Sequence, residues 1–268
     1  MPSRYARAVS VTRRSTALAV VPFVASLLSL SKVRQALATN GGGITFPFPS
    51  GLPTLWTYVS LPGVVGTGPG AGPGSLALFV PLFLVGLLVT AALEAGLLGA
   101  LDGRIDGTDR GFVGGVEQFT LRIVGVNLVR AAVVLVALPF VVLGPLVVVG
   151  FLLVVVLSYL TYGLPFVVVT QDVGLGDALG RTVDLATDGG EYARFGFAHL
   201  LVGALASLVL SVLVRNGGIP GILLGAAVVA VPAVFVATYG LFVFRDLGDG
   251  GRGEGVDREF DTSYGVDS

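Results

Sequence analysis

"AAVVLVALPFVVLGPLVVVGFLLVVVLSYLTYGLPFVVVTQ", residues 131–171, lies between Arg130 and Asp172 and holds 41 residues without one formal charge. About 20 apolar residues cross a hydrocarbon core about 30 Å thick, so this run is twice too long for a single crossing. Gly144-Pro145 at its middle supplies the break that turns it into two antiparallel spans. Lipid, not a water-excluding core, is the solvent such a run requires.

Working outward, the other charge-free stretches fall into place on the same criterion. Ser15 to Leu30, Leu76 to Leu101, Ile123 to Val142, Pro145 to Thr170, Phe195 to Val214 and Ile219 to Phe244 read as six spans. A hydrophobic share of 54%, a charged share of 12% and a mean hydropathy of +0.90 agree with that density. The expected class is all-α: a polytopic membrane helical bundle of six transmembrane helices with short amphipathic cytoplasmic helices. Residues 1–244 form the membrane domain. Residues 245–268, with seven acidic and three basic residues and few apolar ones, read as a disordered acidic tail. Pro22, Pro139, Pro165 and Pro232 predict kinks, which membrane helices tolerate when neighbours satisfy the freed carbonyl.

Arginine sets the orientation. With the amino terminus inside, twelve arginines collect on the cytoplasmic side, while Lys32, Arg34 and Arg215 remain on the other. The expected location is the cell membrane, multi-pass, with amino and carboxyl termini both cytoplasmic. The first span carries a second reading. Arg13-Arg14, a 17-residue uncharged run and Ala36-Leu37-Ala38 also have the order of a signal peptide, whose removal would leave five spans in unchanged orientation. A single lysine among 16 basic residues, with many aspartates, is similar to the composition of proteins from salt-adapted cells.

The chemistry open to the chain is narrow. Cysteine is absent and His199 is the sole histidine, which excludes thiolate catalysis, disulfides and multi-imidazole metal sites; carboxylate-only metal binding stays open. There is no phosphate loop, dinucleotide fingerprint, nucleophile elbow or zinc motif, and "GTGPGAGPG" (Gly66 to Gly74) lacks the spacing of a phosphate cradle. The expectation is a non-enzyme with no cofactor, no metal and no nucleic-acid partner. The lipid bilayer is its first partner. Faces of small residues every four positions permit a homo-oligomer or a membrane-protein partner: Ala92, Gly96 and Ala100; His199, Gly203, Ser207 and Ser211; Gly217, Gly221 and Gly225.

Ionisable groups inside spans are costly and point to function or to a paired structural role. Glu94 lies eight residues from Asp102 and Arg130 eight from Arg122, which sets both at roughly 12 Å from the cytoplasmic boundary at 1.5 Å per residue. Asn127, Tyr162, His199 and Tyr239 fall at similar depth. Glu94, Asn127, Arg130, Tyr162, His199 and Tyr239 therefore form a candidate polar layer. It reads either as a satisfied structural network, the favoured reading, or as a proton-coupled or substrate-binding layer in which Arg130 holds an anionic group.

Three loops have character. Gly41 to Pro73 is uncharged, rich in Gly and Pro, and carries Phe46, Phe48, Trp56 and Tyr58. It reads as an apolar loop in the headgroup zone, where Trp and Tyr prefer to sit, with a re-entrant flap over a cavity as the alternative. Asp177, Arg181, Asp184 and Asp188 form one stripe of a surface helix opposite Leu175, Ala178, Leu179, Leu185 and Ala186, ended by Gly189-Gly190. Gly111 to Arg122, with Phe112, Val116 and Phe119 spaced by four and three, reads as its counterpart in a weak internal repeat.

The run "LPFVVVTQDVGLGDALGRTVDLATDGGEYARFGFAHLL", residues 164–201, resembles a motif of uncharacterised multi-pass membrane proteins of halophilic archaea. More distantly it is similar to the membrane domain attached to some glycerophosphodiester phosphodiesterases. In that motif a span ends in Pro and β-branched residues, followed by an acid, then a surface helix with an Ala and a small hydroxyl residue. Pro165, Asp172, Ala178 and Thr182 fill those places. The resemblance implies a fold and a location and carries no catalytic residue. The function expected is a membrane-embedded interaction or envelope-associated module, with a small transporter or permease using Glu94, Arg130 and His199 as the alternative.

Overall fold

The computed structural model describes residues 3–61, 73–108, 110–142 and 146–259. Gly144-Pro145 and most of the "GTGPGAGPG" run lie outside them. The described residues are helical or irregular, without a strand. In chain order the helices are α1 (Arg4–Arg14), a 3-10 turn (Thr16–Ala19), α2 (Val20–Leu28), α3 (Leu30–Leu37), α4 (Leu55–Tyr58), α5 (Pro73–Asp106), α6 (Phe112–Val142), α7 (Val147–Thr161), α8 (Leu164–Thr170), α9 (Leu175–Asp188) and α10 (Gly190–Glu259). Four stretches are long and apolar enough to cross a membrane: Pro81–Asp106, Phe112–Val136, Val147–Thr170 and Gly190–Gly248. Arg4–Arg14 with Thr16–Leu28, bent by 80°, passes the same test as a pair. Leu82, Val134, Val148, Leu152, Leu201 and Val209 are all exposed, an outward apolar surface consistent with an integral membrane protein.

The amino-terminal span departs from the expectation of one helix from Ser15 to Leu30. Ser15 and Ser29 both leave helical backbone geometry. The hydroxyls around these breaks turn back on the preceding turns, Thr16 Oγ1 donating to the Arg13 carbonyl at 2.9 Å and Ser29 Oγ to the Ala25 carbonyl at 3.2 Å. Such local bonds compete with the helical ladder, and the chain bends where they cluster. The piece between the breaks still packs inward, with Leu18, Ala19, Val21 and Ala25 in the core.

α5 and α6 form a close antiparallel pair. Their backbones touch at Gly99 and Gly115, where a Cβ on Gly99 would lie 2.5 Å from the Gly115 Cα. This contact explains a second correction. The stretch from Gly111 to Arg122 is the opening of the continuous helix α6 and no separate surface helix, so the internal repeat is absent. Gly115 sits at the crossing with α5, and Phe119 is fully buried in the core.

α7 and α8 follow one another as one apolar stretch, parted at Tyr162-Gly163 ahead of Pro165 in the first turn of α8. A side chain at Gly163 would collide with the rings of Phe244 and Tyr192. α9 is the amphipathic helix expected, closed by Gly189 at φ +73°. Its inward face is Ala178, Thr182 and Ala186, and Asp177, Asp184 and Asp188 are exposed. α10 is two helices. Gly218 has φ +58° and ψ −143°, a conformation open to glycine, and the chain reverses there. Tyr192 meets Phe244 at 5.7 Å and Phe195 meets Tyr239 at 5.8 Å between ring centroids, so the two limbs run antiparallel.

The first residues of the expected tail lie against the helical body. Arg245 and Asp246 are tied into the body by ion pairs to Asp102 and Arg4, Leu247 packs against the core, and the helix continues to Glu259. Composition counts these charges as solvated because it cannot see their partners. Residues 260–268 of the expected tail lie outside the described residues. The hairpin in α10 gives a direct check. Gly218→Val, which forces a β-branched side chain into positive φ, and Gly221→Val, which drives a side chain into the Leu213 carbonyl, should each lower stability by about 1–3 kcal/mol. Gly217→Ala, with open space around it, should leave the thermal midpoint in detergent within a degree or two.

Candidate functional site

The site is built by a segment that is not a helix. From Asn40 the chain descends beside the first limb of α10. Asn216 Oδ1 accepts the Gly41 N–H at 3.2 Å, and Arg215 donates to the carbonyls of Asn40 and, at 2.9 Å, Gly42. Ser207 Oγ accepts the Thr45 N–H at 2.8 Å, and Pro47 fills the notch left by Gly203. Phe48 then stacks on Tyr162 at 6.0 Å. The chain turns at Ser50-Gly51, forms the single turn α4 and climbs back, where Ser211 Oγ accepts the Ser60 N–H at 2.9 Å. Descending and returning arms meet at Gly43 and Ser60.

Residues 41–60 are therefore re-entrant, and the expectation of a headgroup-zone loop is overturned. Trp56 and Tyr58 are buried, with Trp56 Nε1 donating to the Ser26 carbonyl at 2.5 Å. Ser26 Oγ also accepts the Leu55 N–H at 2.9 Å. The face made by His199, Gly203, Ser207 and Ser211, read as a helix contact, is the wall on which this segment docks.

At the tip of the segment lies part of the expected polar layer. Glu94 is 2% exposed, and Arg130 Nη1 donates to its two oxygens at 3.1 and 3.2 Å and to Asn127 Oδ1 at 2.9 Å. The Gly51 backbone caps the carboxylate so closely that a Cβ there would stand 2.6 Å from Oε1. Glu94, Asn127 and Arg130 are thus brought together as the sequence suggests. Tyr162 joins a different group: its hydroxyl donates to the Tyr192 carbonyl, and its ring packs with Tyr159, Tyr192, Phe195 and Phe244. Tyr239 lies at the edge of that aromatic cluster, against Phe195 and Phe235. His199 sits between the rings of Tyr58 and Phe195, its Nε2 buried without a hydrogen-bond partner. The six residues form an ionic triad, an aromatic cluster and a lone imidazole instead of one layer.

A cavity of about 280 Å³ opens beside the triad, lined by Ser50, Arg130, Ser158, Thr161, Tyr162 and the Phe48 ring. On the far side of Phe48 lies an apolar cavity of about 210 Å³ bounded by Val155, Tyr159 and Leu200. The bonds to Glu94 and Asn127 leave from Nη1, so Arg130 keeps three further N–H donors on Nε and Nη2 that these bonds do not use. Ser50 Oγ and Asn127 Nδ2 are buried without partners. The arrangement can offer hydrogen bonds to an acceptor-rich group. Among the described residues no group of three or more His, Asp or Glu could hold a metal ion. Ser50, Gly51 and Phe48 escape a reading of the sequence by charge, because a re-entrant turn has no periodicity.

Truncating the ion pair should be asymmetric. Arg130→Ala strands a carboxylate in the interior, whereas Glu94→Ala leaves a guanidinium that is 31% exposed and reaches the cavity. Each should cost about 1–3 kcal/mol, with Arg130→Ala the larger, and thermal unfolding of the two variants side by side checks the order. No family model, curated protein or solved structure matches this chain.

Proposed function

We propose that the chain is a six-span integral protein of the cell membrane with both ends in the cytoplasm, acting as a non-enzymatic, membrane-embedded interaction or envelope-associated module. The count of six takes the bent pair Arg4–Arg14 and Thr16–Leu28 as one crossing and the limbs of α10 on either side of Gly218 as two. The arginine distribution supports the orientation: Arg4, Arg7, Arg110, Arg122 and Arg245 all engage acids at one end of the bundle, and Arg215 lies at the other. The resemblance of residues 164–201 to multi-pass proteins of halophilic archaea agrees, with Ala178 and Thr182 both fully buried where α9 docks.

The observation that carries the non-enzymatic reading is the closed state of the triad. A carboxylate bound through both oxygens to one guanidinium and capped by backbone is a joint between α5, α6 and the re-entrant segment. The cavity lined by the free edge of Arg130 favours a second reading, a small transporter or permease, since non-helical backbone at membrane depth commonly borders a substrate site.

Exchanging the charges separates the two. For a joint, Glu94→Arg combined with Arg130→Glu recovers much of the stability that either single alanine change removes. Single changes that leave stability untouched would count against a joint and turn attention to the cavity. Topology is open to cysteine labelling, because the chain contains no cysteine of its own. Asn40→Cys and Asn216→Cys should react with an impermeant maleimide in intact cells, and Ser3→Cys and Thr187→Cys only after permeabilisation. The reverse pattern would invert the orientation.

A further inference from the structure

The opposite end of the bundle from Arg215 holds a further cavity, of about 420 Å³, between α1, the end of α5 and the stretch of α10 from Phe242 to Asp246. It is lined by Arg7, Ser10, Arg104, Phe242, Arg245 and Asp246, among others. Its acids are already taken. Asp246 is bound by Arg4 at 2.5 Å and approached by Arg7 at 3.8 Å, and Arg245 is bound by Asp102 at 2.5 Å and by Asp106. Among the described residues Arg104 has no such partner: its Nη1 donates to the Arg14 carbonyl at 3.5 Å. Among the described residues Arg13, Arg14 and Arg104 have no carboxylate within ion-pair distance, and Arg13 and Arg14 border an adjoining groove that shares Ser10. The Nε atoms of Arg7 and Arg245 are buried without hydrogen-bond partners. Arg7 is held over the Phe242 ring at 4.8 Å, which fixes its guanidinium in place.

Among the described residues this rim carries more cationic groups than acids, and a walled cavity lined by Arg7 and by Arg104, whose guanidinium no described carboxylate holds, has the chemistry of phosphate recognition. We propose that this cavity binds a phosphate group, as the headgroup of an anionic phospholipid or as free phosphate, with Arg7 and Arg104 as its principal donors. The arginines at this rim then have two roles. They orient the chain, and they hold lipid against α1, whose exposed Tyr5 and apolar face lie beside them.

The test uses the full-length protein in nanodiscs, with lipid occupancy read by native mass spectrometry. Phosphatidylglycerol should be retained in preference to phosphatidylcholine, and Arg104→Gln should lower its occupancy about tenfold, the size of one lost charge-assisted contact. Arg104 has no carboxylate partner among the described residues, so its loss should leave folding intact; Arg7→Gln provides a second variant. Arg181→Gln removes the same charge from the same end outside the cavity, and should change nothing. If inorganic phosphate stabilises the wild type but not Arg104→Gln, while phosphatidylglycerol shows no preference, the same pocket takes free phosphate. Equal losses in Arg104→Gln and Arg181→Gln would reduce the effect to general surface charge and overturn the proposal, as would full occupancy in both cavity variants.

Discussion

A backbone N–H or carbonyl left unpaired in hydrocarbon costs several kcal/mol, and much of this architecture answers to that constraint. Helices meet it by themselves. The segment from Gly41 to Ser60 cannot, and five of its backbone groups are met by side chains of the surrounding helices: the N–H groups of Gly41, Thr45, Leu55 and Ser60 by Asn216, Ser207, Ser26 and Ser211, and the Gly42 carbonyl by Arg215. The surrounding helices are shaped to receive it. Serines and glycines face the segment on α10, and α2 stops short, so that Ser26 lies where α4 can use it. Replace those small residues by leucine and the segment would lose both its room and its partners.

From this follows the position of the triad. Glu94 can be buried in α5 because Arg130 reaches it from α6 and Gly51 seals it from above. A buried pair of this kind gains little net stability over an apolar pair, since desolvation offsets much of the attraction. What it supplies is registry: only one depth of the re-entrant turn sets Gly51 over the carboxylate, and only one rotation of α6 aims Arg130 at it.

The sequence makes the helices legible because charge density and length measure membrane depth directly. It also makes α9 legible, since Asp177, Arg181, Asp184 and Asp188 share one stripe, and it brings Glu94 to Arg130 through their equal distance from Asp102 and Arg122. The re-entrant reading of this segment stood only as the alternative because Trp56 and Tyr58 suit the headgroup zone as well as a buried contact. The segment from Gly111 to Arg122 was misleading because Phe112, Val116 and Phe119 show the same spacing in a surface helix and in the buried opening of a span, where Gly115 crosses Gly99. Arg245 and Asp246 look like tail until Asp102 and Arg4 are seen beside them.

The charged end is held by different forces from the interior. Asp102 is 4% exposed and is shared between Arg110 and Arg245, whereas Arg4, Glu191 and Asp246 are a third exposed or slightly more. Exposed pairs contribute about 0–1 kcal/mol each, so the outer pairs cannot hold the bundle together. Their geometry has a different effect. Arg4 bridges Glu191 at the start of α10 and Asp246 near its end, drawing α1 across both limbs of the hairpin. The amino terminus is thereby fixed to the two limbs whose reversal at Gly218 lies at the opposite end of the bundle. The clasp and the glycine turn restrain the hairpin of α10 at its two ends, and the wall of Gly203, Ser207 and Ser211 between them receives the re-entrant segment.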